Sequence, residues 1–279
     1  MKERKRLLSI IGTVVFSIFS IAWLIPIVII VMNSFKKKSF IQSIPFDWVT
    51  PETFAKFANY TAALRKYHLL DAVGWTVLIT VGSVIVILIC TSMCAWYITR
   101  VKSKVSKFIY LLCVFSMVVP FQMVMFTLSF TADRLHLNTP WGIIIVYLGF
   151  GAGLAVFVFC GFVKSIPVEI EEAALIDGAS PLRAFFTIVL PIMKPTYISV
   201  GILETMWIWN DFLLPYLVLD TNKYKTISIV IQFMKGSYGR VDMGAIMAAL
   251  VLAVIPVIVF YLACQKYIIK GVAAGAVKG

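Results

Sequence analysis

A chain of 279 residues that is 61% hydrophobic and 14% charged, with a mean hydropathy of +0.96, lies well above the roughly 45 to 50% apolar usage of soluble domains. It belongs in a bilayer, and its longest polar stretches, about 25 to 40 residues, are too short to build a soluble domain with a core of its own. The formal charge of +12 does not point to nucleic acid, because the Lys and Arg residues sit in short clusters beside apolar runs, where they orient a membrane protein towards lipid headgroups.

From the N-terminus, a basic start with Lys2, Arg4, Lys5 and Arg6 runs into an apolar stretch that ends at Met32. That stretch mimics a signal peptide but is too long and lacks a small-residue cleavage site, so it reads as an uncleaved first span. About 20 apolar residues cross a bilayer as a helix, and six stretches reach that length: 7–32, 75–98, 108–130, 141–163, 197–219 and 244–268. An even number of spans puts both ends on one side. The basic start and the short loop with Arg100, Lys102, Lys104 and Lys107 place that side in the cytoplasm, because cytoplasmic loops retain Lys and Arg. The margin is narrow, since the outside loop 33–74 also carries Lys36, Lys37, Lys38, Lys56, Arg65 and Lys66, but long loops weigh less in this rule.

Within that loop a short amphipathic helix is expected near 51–66, and Asn59-Tyr60-Thr61 is a glycosylation sequon only by chance in a bacterial host. Trp75, Tyr110 and Trp141 lie near span ends, where amphipathic rings favour the headgroup layer. Cys90, Cys94, Cys113, Cys160 and Cys264 all fall in apolar segments without metal-ligand spacing, as small buried residues do. Gly149, Gly151 and Gly153 in the fourth span read as sites of close helix packing, and His68 and His136 fall in outside loops.

Between the fourth and fifth spans comes a polar insert, 165–191, built from local signals that agree. Ser165 is a candidate N-cap, Pro167 suits the first turn, and Glu169, Glu171 and Glu172 carry the favourable sign for a helix start. Asp177-Gly178 stops that helix. Ser180 and Pro181 open a second one, closed by Pro191. On the first helix Ile170, Ala173, Ala174 and Asp177 share one face, and small side chains there let another protein approach closely.

The order Glu172-Ala173-Ala174, three residues, Gly178, nine residues, Ile188-x-Leu190-Pro191 resembles the EAA loop of ABC-transporter permeases. The wider run from Ile166-Pro167 through Ile176-Asp177-Gly178-Ala179 to Pro195 is similar to the carbohydrate-uptake branch, nearest to the second, maltose-type permease subunit. So are Pro120 with Gln122, Leu137-Asn138-Thr139, Trp209-Asn210-Asp211-Phe212 and the tail Gly271 to Gly279. The second span departs from that pattern, opening Gly74-Trp75-Thr76 where relatives commonly have Asn-Ser.

The resemblance implies a type I ABC importer permease fold, all-α and polytopic, with six transmembrane helices and 1–279 as a single permease domain. It implies coupling to ATPase subunits through Glu172, Ala173, Ala174, Asp177, Gly178, Ala179, Leu190 and Pro191, and a tail contact with them through Gly275, Lys278 and Gly279 of segment 271–279. The implied partners are a second, non-identical permease, two ATPase subunits, an extracellular or periplasmic solute-binding protein, a sugar and membrane lipid. The setting is a bacterial cytoplasmic membrane. ATP and Mg would be used by the ATPases, and this chain, having no G-x-x-x-x-G-K-[ST] phosphate loop, would bind no cofactor and catalyse nothing itself.

A sugar path needs hydrogen-bonding groups and aromatic faces at membrane depth, where acidic residues usually face a bundle interior or a watery cavity. Glu204, Trp207, Asn210 and Asp211 in the fifth span and Gln122 beside Pro120 are the candidates. For Glu204 a structural role, or pairing with the partner permease, stands beside the lining role, and for Asp211 a structural role in fixing the span does. A secondary transporter working without an ATPase is the rival class; it predicts inverted repeats and broken helices meeting at the bilayer centre, and no repeat relates the two halves. A permease for a non-sugar solute such as glycerol phosphate is the nearer alternative.

Overall fold

In lipid every backbone N–H and C=O needs an internal partner, so apolar runs of this length fold as helices. The computed structural model describes residues 2–236 and 241–276, and its elements in chain order are helical. They are α1 (Lys2–Ser34), α2 (Lys38–Ser43), α3 (Ala58–Thr61, continued by a π turn to Lys66), α4 (Leu69–Arg100), α5 (Lys104–Val118) and α6 (Phe121–Arg134), followed by α7 (Pro140–Val163). The insert contributes α8 (Val168–Ile176), α9 (Pro181–Ala184), a π turn (Phe185–Val189) and α10 (Leu190–Ile192). Then come α11 (Lys194–Asn210), α12 (Leu213–Val218), α13 (Ile227–Met234) and α14 (Met243–Ala276). Among the described residues four helices are long and apolar enough to cross a bilayer, within α1, α4, α7 and α14, and two bent pairs raise the number to six.

Two expected spans are interrupted. The third, expected unbroken over 108–130, turns by 108° between α5 and α6. Its cause is Pro120, which has no N–H and drives the preceding Val119 out of helical conformation to ψ 115°. The fifth, expected over 197–219, stops at Asn210 because Asp211 is extended. The Asp211 Oδ1 then accepts the N–H groups of Leu213 at 3.0 Å and Leu214 at 3.4 Å, starting α12 afresh.

The contacts define two compact units, each described by itself. In Met1–Leu70 with Val230–Ile258, α1 carries large apolar side chains in the open, Trp23 at 80% exposure among them, as a helix solvated by lipid does. The segment after α1 is folded rather than loose. Asn59 Nδ2 donates to the carbonyls of Ser34 and Lys36 at 2.8 Å each, Asn33 Nδ2 to that of Pro45 at 2.8 Å, and the buried Lys36 Nζ to that of Ile44 at 2.9 Å. The helix expected over 51–66 is confined to Ala58–Lys66. At the start of α14, Asp242 Oδ2 accepts from Tyr67 Oη at 3.0 Å and Lys66 Nζ at 3.3 Å. Burial alone would raise this carboxyl's pKa, but these donors and the Ala245 N–H hold it below the usual carboxylate value.

In Asp71–Ile229 with Val259–Gly279, α4, α7 and α11 bury a common core around Ile87, Tyr147, Phe159 and Val200. Without a hydrophobic drive between helices in lipid, close approach supplies the attraction. A methyl group at Gly153 would lie 2.6 Å from Met117 Cγ and 2.7 Å from the Cys113 carbonyl, so α5 and α7 meet there because that side chain is missing. Gly151 plays the same part against Ile87, whereas Gly149 has open space. Thr139 caps α7, its Oγ1 accepting the Gly142 N–H at 3.1 Å.

Candidate coupling site

The insert begins at Val168, two residues later than a Ser165 cap would place it. Ser165 Oγ donates to the Phe162 carbonyl at 2.7 Å, and Pro167 occupies the cap position without a side-chain hydrogen bond. The end of α8 is as its residues dictate. Gly178 takes φ +86°, Ala179 N–H reaches back to the Ala174 carbonyl at 2.9 Å, and Gly178 N–H to that of Leu175 at 3.1 Å. This is the paired bonding of a left-handed helix stop, which a side chain at 178 would strain. Ser180 Oγ then accepts the Arg183 N–H and Pro181 opens α9. The second limb is not one regular helix: it passes through a π turn, includes Pro191 and runs to Ile192, after which the chain bends 78° into α11.

What holds the insert is a residue that spacing did not single out. Glu171 is only 6% exposed. Its Oε1 accepts from Arg100 Nη2 at 2.6 Å and Arg100 Nε at 2.9 Å, and its Oε2 from Trp96 Nε1 at 2.7 Å. Arg100 also donates to the Ile166 carbonyl at 3.0 Å, just ahead of α8. The last turns of α4 therefore grip the insert by a buried, charge-assisted network that satisfies both carboxylate oxygens. Phe185, fully buried, packs on the Trp96 ring at 5.3 Å.

The expected single docking face is thus divided. Ala174 turns inward with Glu171, one helical turn on, while Ile170, Glu172, Ala173 and Asp177 stand in the open with Gly178; Ala179 is half-buried. Beside them lie uncovered apolar side chains: Ile176 at 85% exposure, with Leu175, Leu182 and Phe186. Leu190 is half-buried and Pro191 exposed. A carboxylate amid small and apolar side chains can accept a basic residue from a protein that closes over it.

The candidate path residues separate. Tyr147 Oη donates to Asp211 Oδ2 at 3.0 Å, and Trp207 stands edge-on to the Tyr147 ring at 5.5 Å, so these three meet. Asp211 accepts three hydrogen bonds at the break between α11 and α12, from Tyr147, Leu213 and Leu214. Glu204 is 2% exposed and faces α4 and α7 beside Gly151 and Ile87, with Oε2 unpartnered. Asn210 is exposed and donates to the Met206 carbonyl, and Gln122 is exposed in the first turn of α6. In the tail, the helix that includes Gly275 is described as far as Ala276; Lys278 and Gly279 lie outside the described residues.

An all-α polytopic fold with a helix-turn-helix insert between its fourth and fifth spans defines the class of type I importer permeases. The comparisons agree. Residues 87–274 match the family described as binding-protein-dependent transport system inner membrane component. The chain is 38% identical to the probable starch degradation products transport system permease protein AmyC of Thermoanaerobacterium thermosulfurigenes, over 99% of this chain and 97% of that one. It is 33% identical to the multiple sugar-binding transport system permease protein MsmG of Streptococcus mutans over 100% of both. A solved bacterial ABC transporter that imports the acidic polysaccharide alginate shares the fold, with a TM-score of 0.71 at 22% identity over 94% of this chain and 96% of that one. The chain belongs to the binding-protein-dependent inner membrane component family.

Proposed function

We propose that this chain is the transmembrane permease subunit of a binding-protein-dependent ABC importer for a carbohydrate, an oligosaccharide in particular. It forms half of the translocation path beside a second, non-identical permease and couples that path to two ATPase subunits. The sugar class rests on relatives along the whole chain that are named for starch degradation products, multiple sugars, and melibiose, raffinose and stachyose. Delivery by an extracellular binding protein rests on the family. A neighbour of the same fold was solved with a periplasmic protein carrying an alginate pentasaccharide. In this reading the membrane is the bacterial cytoplasmic membrane and both termini are cytoplasmic.

One observation carries the coupling role: α8 is locked to α4 through Glu171 and Arg100 on its inner edge and bare on its outer edge around Glu172. A rigid element so held moves as one with the span that grips it, and closure of an ATPase pair on its bare edge would rock that span between two states. ATP and Mg belong to the ATPases in this scheme, and Glu172 would pair with a basic residue of one of them.

The test is Glu172→Ala in the complex reconstituted with its binding protein and a labelled oligosaccharide. The variant is expected to assemble and hydrolyse ATP while uptake per ATP falls about tenfold, the worth of one charge-assisted contact. Unchanged uptake with normal ATPase copurification contradicts the assignment.

A further inference from the structure

Where α4 ends, α5 begins and α7 ends, the surface folds into a half-open cavity of about 520 Å³. Four exposed lysines line it from two stretches of chain: Lys102 in the connection after α4 with Lys104 and Lys107 in the first turn of α5, and Lys164 at the end of α7. No carboxylate lines it. Among the described residues none of the four lysines is in an ion pair, and the neighbouring acid Glu171 is taken up by Arg100. Lys164 Nζ stands 6.0 Å from the centre of the Tyr110 ring, which is part of the same wall. The positive end of the α5 dipole points the same way, Ser103 capping it with Oγ. Four exposed ammonium groups around one cavity, with no carboxylate among its lining residues, make a positive surface that attracts an anion and does so less at high salt.

The depth of the cavity says what carries that anion. Lys164 is one residue past the last span residue of α7 and four ahead of α8, and Arg100, at the same end of α4, grips the insert. The cavity therefore lies in the headgroup layer on the insert's side of the membrane. Away from it along α5, Phe108, Leu111, Leu112 and Phe115 are all more than half exposed, at a spacing that continues one face of the helix from Lys104. A molecule with a phosphate at one end and acyl chains at the other matches both features.

We propose that this cavity binds the phosphate of an anionic phospholipid in the leaflet on the insert's side, its acyl chains lying along the exposed face of α5. Basic pockets between spans hold anionic headgroups in this manner. The bound lipid lies against the end of α4 that holds the insert, and this site does not depend on which solute is carried.

The full-length chain, purified from membranes in mild detergent with whatever subunits accompany it, is titrated with phosphatidylglycerol, phosphatidylcholine or inorganic phosphate. Retained lipid is read by native mass spectrometry and thermal stability in parallel. Phosphatidylglycerol is expected to be retained and stabilising, and its affinity to fall about fivefold for each of Lys102, Lys104, Lys107 and Lys164 changed to Gln. The corresponding Lys→Arg variants are expected to keep it, which separates loss of the site from loss of the fold. Changing the exposed Lys37 and Lys38, on the segment after α1, should have no effect. Equal retention of phosphatidylcholine overturns the proposal, as does an equal loss on changing Lys37 and Lys38. Stabilisation by inorganic phosphate as large as that by the lipid overturns the assignment to a lipid.

Discussion

Glu171 and Glu172 are consecutive carboxylates with opposite surroundings, one enclosed by Trp96 and Arg100 and the other in the open. Spacing pointed to Glu172 because its motif is local. It passed over Glu171 because the partners that define it lie 75 and 71 residues away in the chain. In the sequence Arg100 is simply one more positive charge beside a span, and nothing in periodicity reports a tertiary ion pair. The two residues also separate by experiment. Glu171→Ala leaves a mostly buried guanidinium and an indole N–H without their acceptor, so a loss of about 3 kcal/mol is expected. Glu172→Ala is expected to stay within roughly 0.5 kcal/mol of the parent. Thermal unfolding of the detergent-solubilised protein measures both, and equal stabilities would mean that the Glu171 network does not hold the insert. The Asn59 side chain, which a sequon search marks as a glycan acceptor, is likewise explained only by tertiary contacts: it donates to two backbone carbonyls after α1.

At the scale of elements, the long spans were legible because twenty apolar residues have one way to cross a bilayer. The insert was legible because Gly178, Ser180 and Pro181 act through their own backbone neighbours. The breaks were harder to read, since hydropathy treats 197–219 as one run and does not register that Asp211 can cap a new helix. Pro120 did carry a signal in its missing N–H, but the 108° size of the turn depends on what α5 and α6 pack against. For the fifth span the structure makes a direct prediction. Asp211→Ala leaves the Leu213 and Leu214 N–H groups and the Tyr147 hydroxyl unsatisfied, at an expected cost of about 1–3 kcal/mol. Asp211→Asn keeps acceptors for the backbone groups and should lose less. If thermal unfolding shows the two variants equally stable, the cap is not what holds the break.

For the molecule as a whole, composition alone separated a lipid-solvated chain from a soluble one, and the bare apolar surface of α1 is its structural counterpart. The candidate path was the least legible part. Gln122, Glu204, Trp207, Asn210 and Asp211 were grouped by residue type and helical spacing, yet among them only Trp207 and Asp211 come together, through Tyr147, while Glu204 points into the packing of α4 and α7. In the proposed function the path is shared by two subunits and built from faces that a single chain leaves open, so its lining would not be encoded in one sequence as a local motif is.

In the proposed function the bare edge of α8 meets a separate ATPase. The most direct measurement replaces the five native cysteines with alanine, introduces Ala173→Cys on that edge, and asks in intact membranes which side the new thiol faces and what it cross-links to. Labelling by an impermeant maleimide is expected only from the cytoplasmic face, with a short cross-link to a copurifying ATPase subunit whose yield changes with ATP. Labelling from the outer face, or no cross-link to any ATPase in a complex that still transports, would contradict that contact.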